Sequence, residues 1–169
     1  GAMMEYQYLE RLLLQAAQTD DSNIWVSAND LTNEIILETL SEIRRSKGNF
    51  VVVDFPCDTL KIIDQLWIEY SQGHFGFSVQ QSIYENCADL EKFYDCVSWK
   101  YSKKSHPFYD MLRFGYPLTI IAPDYGIFPT RIQQWIVWSR KASIKAAKGN
   151  LPYCINLVPA ILLRLKACE

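Results

Sequence analysis

The chain has little with which to hold a metal. It has two histidines in 169 residues and five cysteines, no two of them in a CxxC pair. That argues against structural zinc, which needs four clustered cysteine or histidine ligands. The cysteines (Cys57, Cys87, Cys96, Cys154, Cys168) are odd in number and read as reduced, mostly buried thiols that pack as small hydrophobes. No apolar run reaches about 18 residues, so no membrane-spanning helix is expected. There is no GxSxG, no phosphate loop and no HExxH, so the chain is not expected to be an enzyme. No basic-then-apolar leader follows Met4. Gly1-Ala2-Met3 reads as the remnant of a cleaved tag, which leaves residues 4–169 as one intracellular domain. Internal repeats and low-complexity tracts are absent too.

What is present is apolar and aromatic: 49% hydrophobic and 14% aromatic residues, enough for a substantial core. The net charge of −2 is unevenly divided. Residues 1–97 carry 6 basic and 16 acidic side chains, whereas residues 98–169 carry 11 basic and 3 acidic. Either the halves attract each other within one fold, or the basic half, including Arg140, Lys141, Lys145 and Lys148, meets an anion. Nucleic acid fits less well, because the overall balance is acidic.

Apolar spacing predicts a helix over Glu5–Ala17, a short helix around Trp25 and a longer one from Leu31 to Arg45 capped by Asp30. Phe50–Val53 and Leu118–Ile121 read as extended chain. Leu60, Ile63, Trp67 and Tyr70 line one face of a helix that Asp58 caps and Gly73 ends. Ser78 is expected to cap the next helix and Asp89 the one from Leu90 to Trp99. Prolines and glycines punctuate residues 102–130. Thr130 can cap a helix through Trp135 and Trp138, and Ile155–Cys168 is the last helix, with Pro159 in its first turn or kinking it. The expectation is an all-α domain of about seven helices without a sheet. Asp64 and Glu69 lie five residues apart on one helix and read as solvent-facing.

The most informative segment is IDQLWIEYSQGHFGFSVQ, residues 63–80. An aromatic amphipathic helix runs into a two-glycine corner and then a second helix. Such a corner brings backbone and rings close to a flat partner. The longer run FPCDTLKIIDQLWIEYSQGHFGFSVQQSIY resembles the signature of the genomes-uncoupled-four tetrapyrrole-binding domain. LERLLLQAA, FYDCVSW (93–99), the Trp135–Ser139 stretch and KGNLP (148–152) are similar to other parts of that domain, about four-fifths of the chain in all. The resemblance implies a cupped all-helical fold that binds protoporphyrin or magnesium-protoporphyrin without a covalent bond and stimulates magnesium chelatase in chlorophyll synthesis. Some members bind linear bilins. The chain is expected to be a monomer in the cytoplasm, or in the plastid stroma where a transit peptide has been removed. Two departures stand out. Residues 102–130 are longer and richer in proline and aromatics than the family's segment, and Asn150 stands where histidine is usual.

A porphyrin needs apolar walls and a few cations for its carboxylates. Burying roughly 300 Å² of apolar ligand surface supplies about 7 kcal/mol before ordering costs, at about 25 cal/mol per Å². The wall candidates are Trp67, Tyr70, Phe75, Phe77 and Val79, although the same stripe also fits ordinary core. Gln80 is a candidate contact to the ring edge, or else helix surface. His74 can donate to a propionate or ligate a ring metal, or simply be solvated; magnesium's preference for oxygen disfavours ligation. Trp135 and Trp138 are candidates for an aromatic lid. Arg140 is the first choice for a propionate, because a guanidinium grips a carboxylate with two prongs. A thioether to a bilin at Cys57 or Cys87 has nothing lyase-like around it. A second class of reading stays open: an interaction or sensory module that has kept the fold and lost the porphyrin, its palm filled from Phe108, Tyr109, Phe114 or Tyr116.

Overall fold

The protein is described from a computed structural model that covers residues 2–48, 50–51, 54–99, 119–120, 142–154 and 157–169. Its six helices in these segments are α1 (Ala2–Thr19), α2 (Ser22–Lys47), α3 (Cys57–Ser71), α4 (Phe77–Glu85), α5 (Leu90–Cys96) and α6 (Val158–Ala167). A two-residue antiparallel ladder pairs β1 (Phe50–Val51) with β2 (Thr119–Ile120), Phe50 opposite Ile120. Of the two runs expected to be extended, the described residues, Phe50–Val51 and Thr119–Ile120, are extended. They pair with each other as one minimal rung on an all-α fold.

The helix expected around Trp25 and the one expected from Leu31 are a single helix. No glycine or proline interrupts the backbone ladder between Ala28 and Leu31, and the buried face continues from Trp25 through Ala28, Thr32, Ile35 and Leu40. Asp30 therefore lies inside α2 instead of capping a helix. The actual cap is Asp21, whose carboxylate accepts the Asn23 N–H at 2.9 Å. At the far end the Gly48 N–H reaches the Arg44 carbonyl at 2.7 Å, beside Arg44, Arg45 and Lys47 at the negative end of the helix dipole. Asp58 falls in the first turn of α3, and Pro56 takes the cap position without a side-chain bond. Asp89 caps α5 as expected, accepting the Lys92 N–H at 2.8 Å.

One core joins these elements. Leu9, Leu13 and Ala16 of α1 pack on α2 and α3, and α6 packs on α3 and α4. Its centre is aromatic: Trp25 and Trp67 stack with centroids 6.1 Å apart, and Phe75 sets its edge against both at 5.3 and 6.2 Å. Such pairs contribute beyond their buried area. The polar tips are satisfied, because the Trp67 indole N–H donates to Thr32 Oγ1 at 3.0 Å and that of Trp25 to Asp20 Oδ1 at 2.9 Å.

The thiol expectation needs correction. Cys57 and Cys168 form a disulfide across 111 residues, joining the start of α3 to the end of α6. Cys87, Cys96 and Cys154 are free, and only Cys154 is buried. Spacing along the chain does not show that these two helix ends meet. No helix among the described residues is long and apolar enough to cross a membrane.

Candidate functional site

The corner between α3 and α4 is built from the inside. Ser71 Oγ accepts the Phe75 N–H at 2.8 Å and donates to the Trp67 carbonyl at 2.6 Å, which folds residues 71–75 back on the helix end. Gly76 has φ of +140°, and a Cβ there would come within 2.9 Å of both Asp64 Oδ1 and Ile68 Cγ1. Only glycine fits this approach. It lets the Asp64 carboxylate reach across and accept the Ser78 N–H at 2.9 Å. Asp64 is thus not solvent-facing: it is 6% exposed and caps α4 from the neighbouring helix, a task expected of Ser78. Burial raises its pKa, and the bonds from residues 77 and 78 oppose that rise only in part.

The corner is then sealed against the turn at 148–152. Gly76 N–H donates to the Leu151 carbonyl (3.0 Å) and Gly149 N–H to that of His74 (2.9 Å). Gln80, fully buried, donates its amide to the carbonyls of Gly149 (3.0 Å) and Pro152 (2.7 Å). From α2, Asn29 pairs with both backbone groups of Tyr153, and Asn33 adds a bond at 2.9 Å. Asn150 is also built in: its amide donates to the Val97 carbonyl at 2.6 Å and its own carbonyl accepts the Trp99 indole at 2.8 Å. Each of these side chains bonds to backbone of another segment, as buried polar groups require.

Outside this seal lies a hollow of about 240 Å³, lined by Gly73, Ser78, Val79, Ser82, Ile83 and Lys148. One exposed face of α4 supplies four of the six, at the three-and-four spacing of a helix. Its lining brings together the aliphatic side chains of Val79 and Ile83, the hydroxyls of Ser78 and Ser82 and the ammonium of Lys148.

The ten residues singled out from the sequence fall in different places. Val79 lines the hollow. Trp67, Phe75 and Phe77 are 0% exposed and lie in the core on which the corner rests, away from the lining of the hollow. Tyr70 is also not on the hollow. Burial raises its phenol pKa, helped by a hydrogen bond with Glu10 of α1. Gln80 is not helix surface: its Nε2 is taken by the turn, and its buried Oε1 has no hydrogen-bond partner among the described residues. His74 Nε2 donates to the Ala146 carbonyl at 2.6 Å, so this nitrogen is committed to holding the 142–148 loop and only Nδ1 is left. Trp135, Trp138 and Arg140 lie outside the described residues, as do Phe108, Tyr109, Phe114 and Tyr116. Ser82 and Ile83 carry no motif of their own, although their spacing from Val79 puts them on its face. In the sequence Gly73 and Ser78 stand as helix punctuation, and Lys148 is one basic residue among several.

The chain belongs to the GUN4-like family, whose model matches residues 2–147. At the level of the family this is a class of tetrapyrrole-binding, regulatory proteins associated with magnesium chelatase. The chain is 30% identical over 104 residues to an uncharacterized protein ycf53 of Porphyra purpurea, and 29% over 99 residues to that of Cyanidium caldarium. These matches cover 59% and 56% of this chain but 41% and 39% of the relatives, so the chain spans about two-fifths of their length. The ligand-free structure of Arabidopsis thaliana GUN4 shares the fold, with a TM-score of 0.55 and 23% identity over 94% of this chain and 91% of that one.

Proposed function

We propose that the chain binds a tetrapyrrole non-covalently, protoporphyrin or magnesium-protoporphyrin, and in that form stimulates magnesium chelatase. The observation that carries this reading is the hollow on α4, whose lining combines apolar Val79 and Ile83 with Lys148 beside the glycine corner. A flat apolar ring with carboxylates on one edge fits that chemistry. At about 240 Å³ the hollow is smaller than the roughly 300–1,000 Å³ of a complete small-molecule pocket, so it seats one edge of the macrocycle. Trp135 and Trp138 then cover the ring, and Arg140 takes a propionate.

The full burial of Trp67, Phe75 and Phe77 favours one alternative, a module that has kept the fold and reads a partner protein without a pigment. Titration with deuteroporphyrin, its magnesium form and biliverdin, followed by absorbance, separates the readings. The proposal expects saturable spectral shifts with the porphyrins at micromolar or lower concentration. Saturation by biliverdin alone makes the chain a bilin carrier. No shift with any of the three supports the interaction module.

A further inference from the structure

Away from the candidate site, two free thiols face each other. Cys87, just past the end of α4, and Cys96, the last residue of α5, have sulfurs 3.8 Å apart. The seam between them is packed. Tyr84 and Phe93 meet edge to face at 5.4 Å, the Cys87 N–H holds the Tyr84 carbonyl at 3.0 Å, and Asp89 caps α5. A disulfide needs its sulfurs at about 2.05 Å, so closure is an approach of under about 2 Å. Cys96 is exposed and Cys87 half-buried, so side-chain rotation at the surface can supply it.

We propose that Cys87 and Cys96 form a reversible dithiol–disulfide site, oxidised by exchange with the disulfide of a small thiol or of a dithiol protein. The Cys96 thiolate, the more accessible, attacks the oxidant's disulfide and displaces one thiolate. Cys87 then attacks the Cys96 sulfur of the mixed disulfide and displaces the second thiolate. The two protein thiols lose two protons and two electrons, and the oxidant leaves as two thiols. Burial, with Cys96 and Asp89 nearby, raises the Cys87 thiol pKa, so the resolving step quickens as pH rises. Cys154 is fully buried, its thiol pKa is raised by desolvation, and it takes no part. The site lies at the end of the helix that carries Val79, Ser82 and Ile83, but its chemistry does not depend on any ligand there.

The test treats the folded chain with excess oxidised glutathione, blocks remaining thiols with N-ethylmaleimide and maps peptides without reduction. The expected product joins Cys87 to Cys96, two mass units lighter than the dithiol, while Cys154 stays unmodified until unfolding. Cys87→Ser traps a stable glutathione adduct on Cys96, and Cys96→Ser yields no internal link; far-UV circular dichroism checks that both variants fold. A wild-type chain that accumulates the Cys96 adduct with Cys87 still open to alkylation overturns the proposal. So does linkage of either cysteine to Cys154 or to a second chain.

Discussion

Gly76 is the residue on which the corner turns. With φ of +140° and its Cα wedged between Asp64 and Ile68, it leaves no room for a methyl group. Gly76→Ala is expected to lower stability by about 2 kcal/mol or more, read as a lower urea midpoint, because both the backbone strain and the clash fall on buried atoms. Asp30 makes a separate prediction. Its Oδ1 is buried and has no hydrogen-bond partner among the described residues, and burial with nearby Glu34 raises its pKa from 3.8 to about 6. Between those values the folded chain binds a proton that the unfolded chain does not. Stability therefore rises as pH falls from 7 through 6, the gain is complete near the unfolded value, and Asp64 adds to it with the same sign. Asp30→Asn is expected to flatten the slope of urea midpoint against pH; an unchanged slope would remove Asp30 as its source. At this scale the sequence was a partial guide. Burial of the Trp67 stripe was one of two readings open to it, and nothing in the spacing could say that Asp64 and Gln80 spend their polar groups on backbone from distant segments.

At the scale of elements, helix ends and apolar faces were largely legible, because caps and periodicity are local. Asp89 caps α5 where the chain says it should, and α3 stops at Ser71, with Gln72 as its left-handed cap one residue before the expected Gly73. What was not legible is long-range: the union of two short helices into α2, the rung between β1 and β2, and the meeting of α3 with α6. The last of these yields a prediction. The Cys57–Cys168 disulfide closes a long loop, and such links typically contribute about 2–4 kcal/mol. Cys57→Ser is expected to lower Tm by several degrees, and a reducing agent is expected to lower the wild type to the same value. A variant as stable as the oxidised wild type would show that the link contributes nothing.

At the scale of the molecule, the family was readable because its signature is a packing solution. The glycine corner, Gln80 and the 148–152 turn form one hydrogen-bonded unit, and altering one member disturbs the rest. Asn150 supports this unit by bonding the Val97 carbonyl and accepting the Trp99 indole N–H on its backbone carbonyl, so it bears on the scaffold under the hollow. Gly149 ties the scaffold to the site, since a Cβ there would strike Ile83 Cδ1 at 2.8 Å. The ligand contact proposed above lies instead on the outer face of α4, which local pattern marks only as a half-exposed helix face.

The central claim is that this outer face, and not the buried rings, meets the tetrapyrrole. Quenching of tryptophan fluorescence by deuteroporphyrin, compared between wild type and Val79→Glu, tests it most directly. A saturable wild-type curve, weakened about tenfold or more in Val79→Glu (at least about 1.4 kcal/mol) at unchanged urea midpoint, is the predicted result. Equal affinities for the two proteins would contradict it.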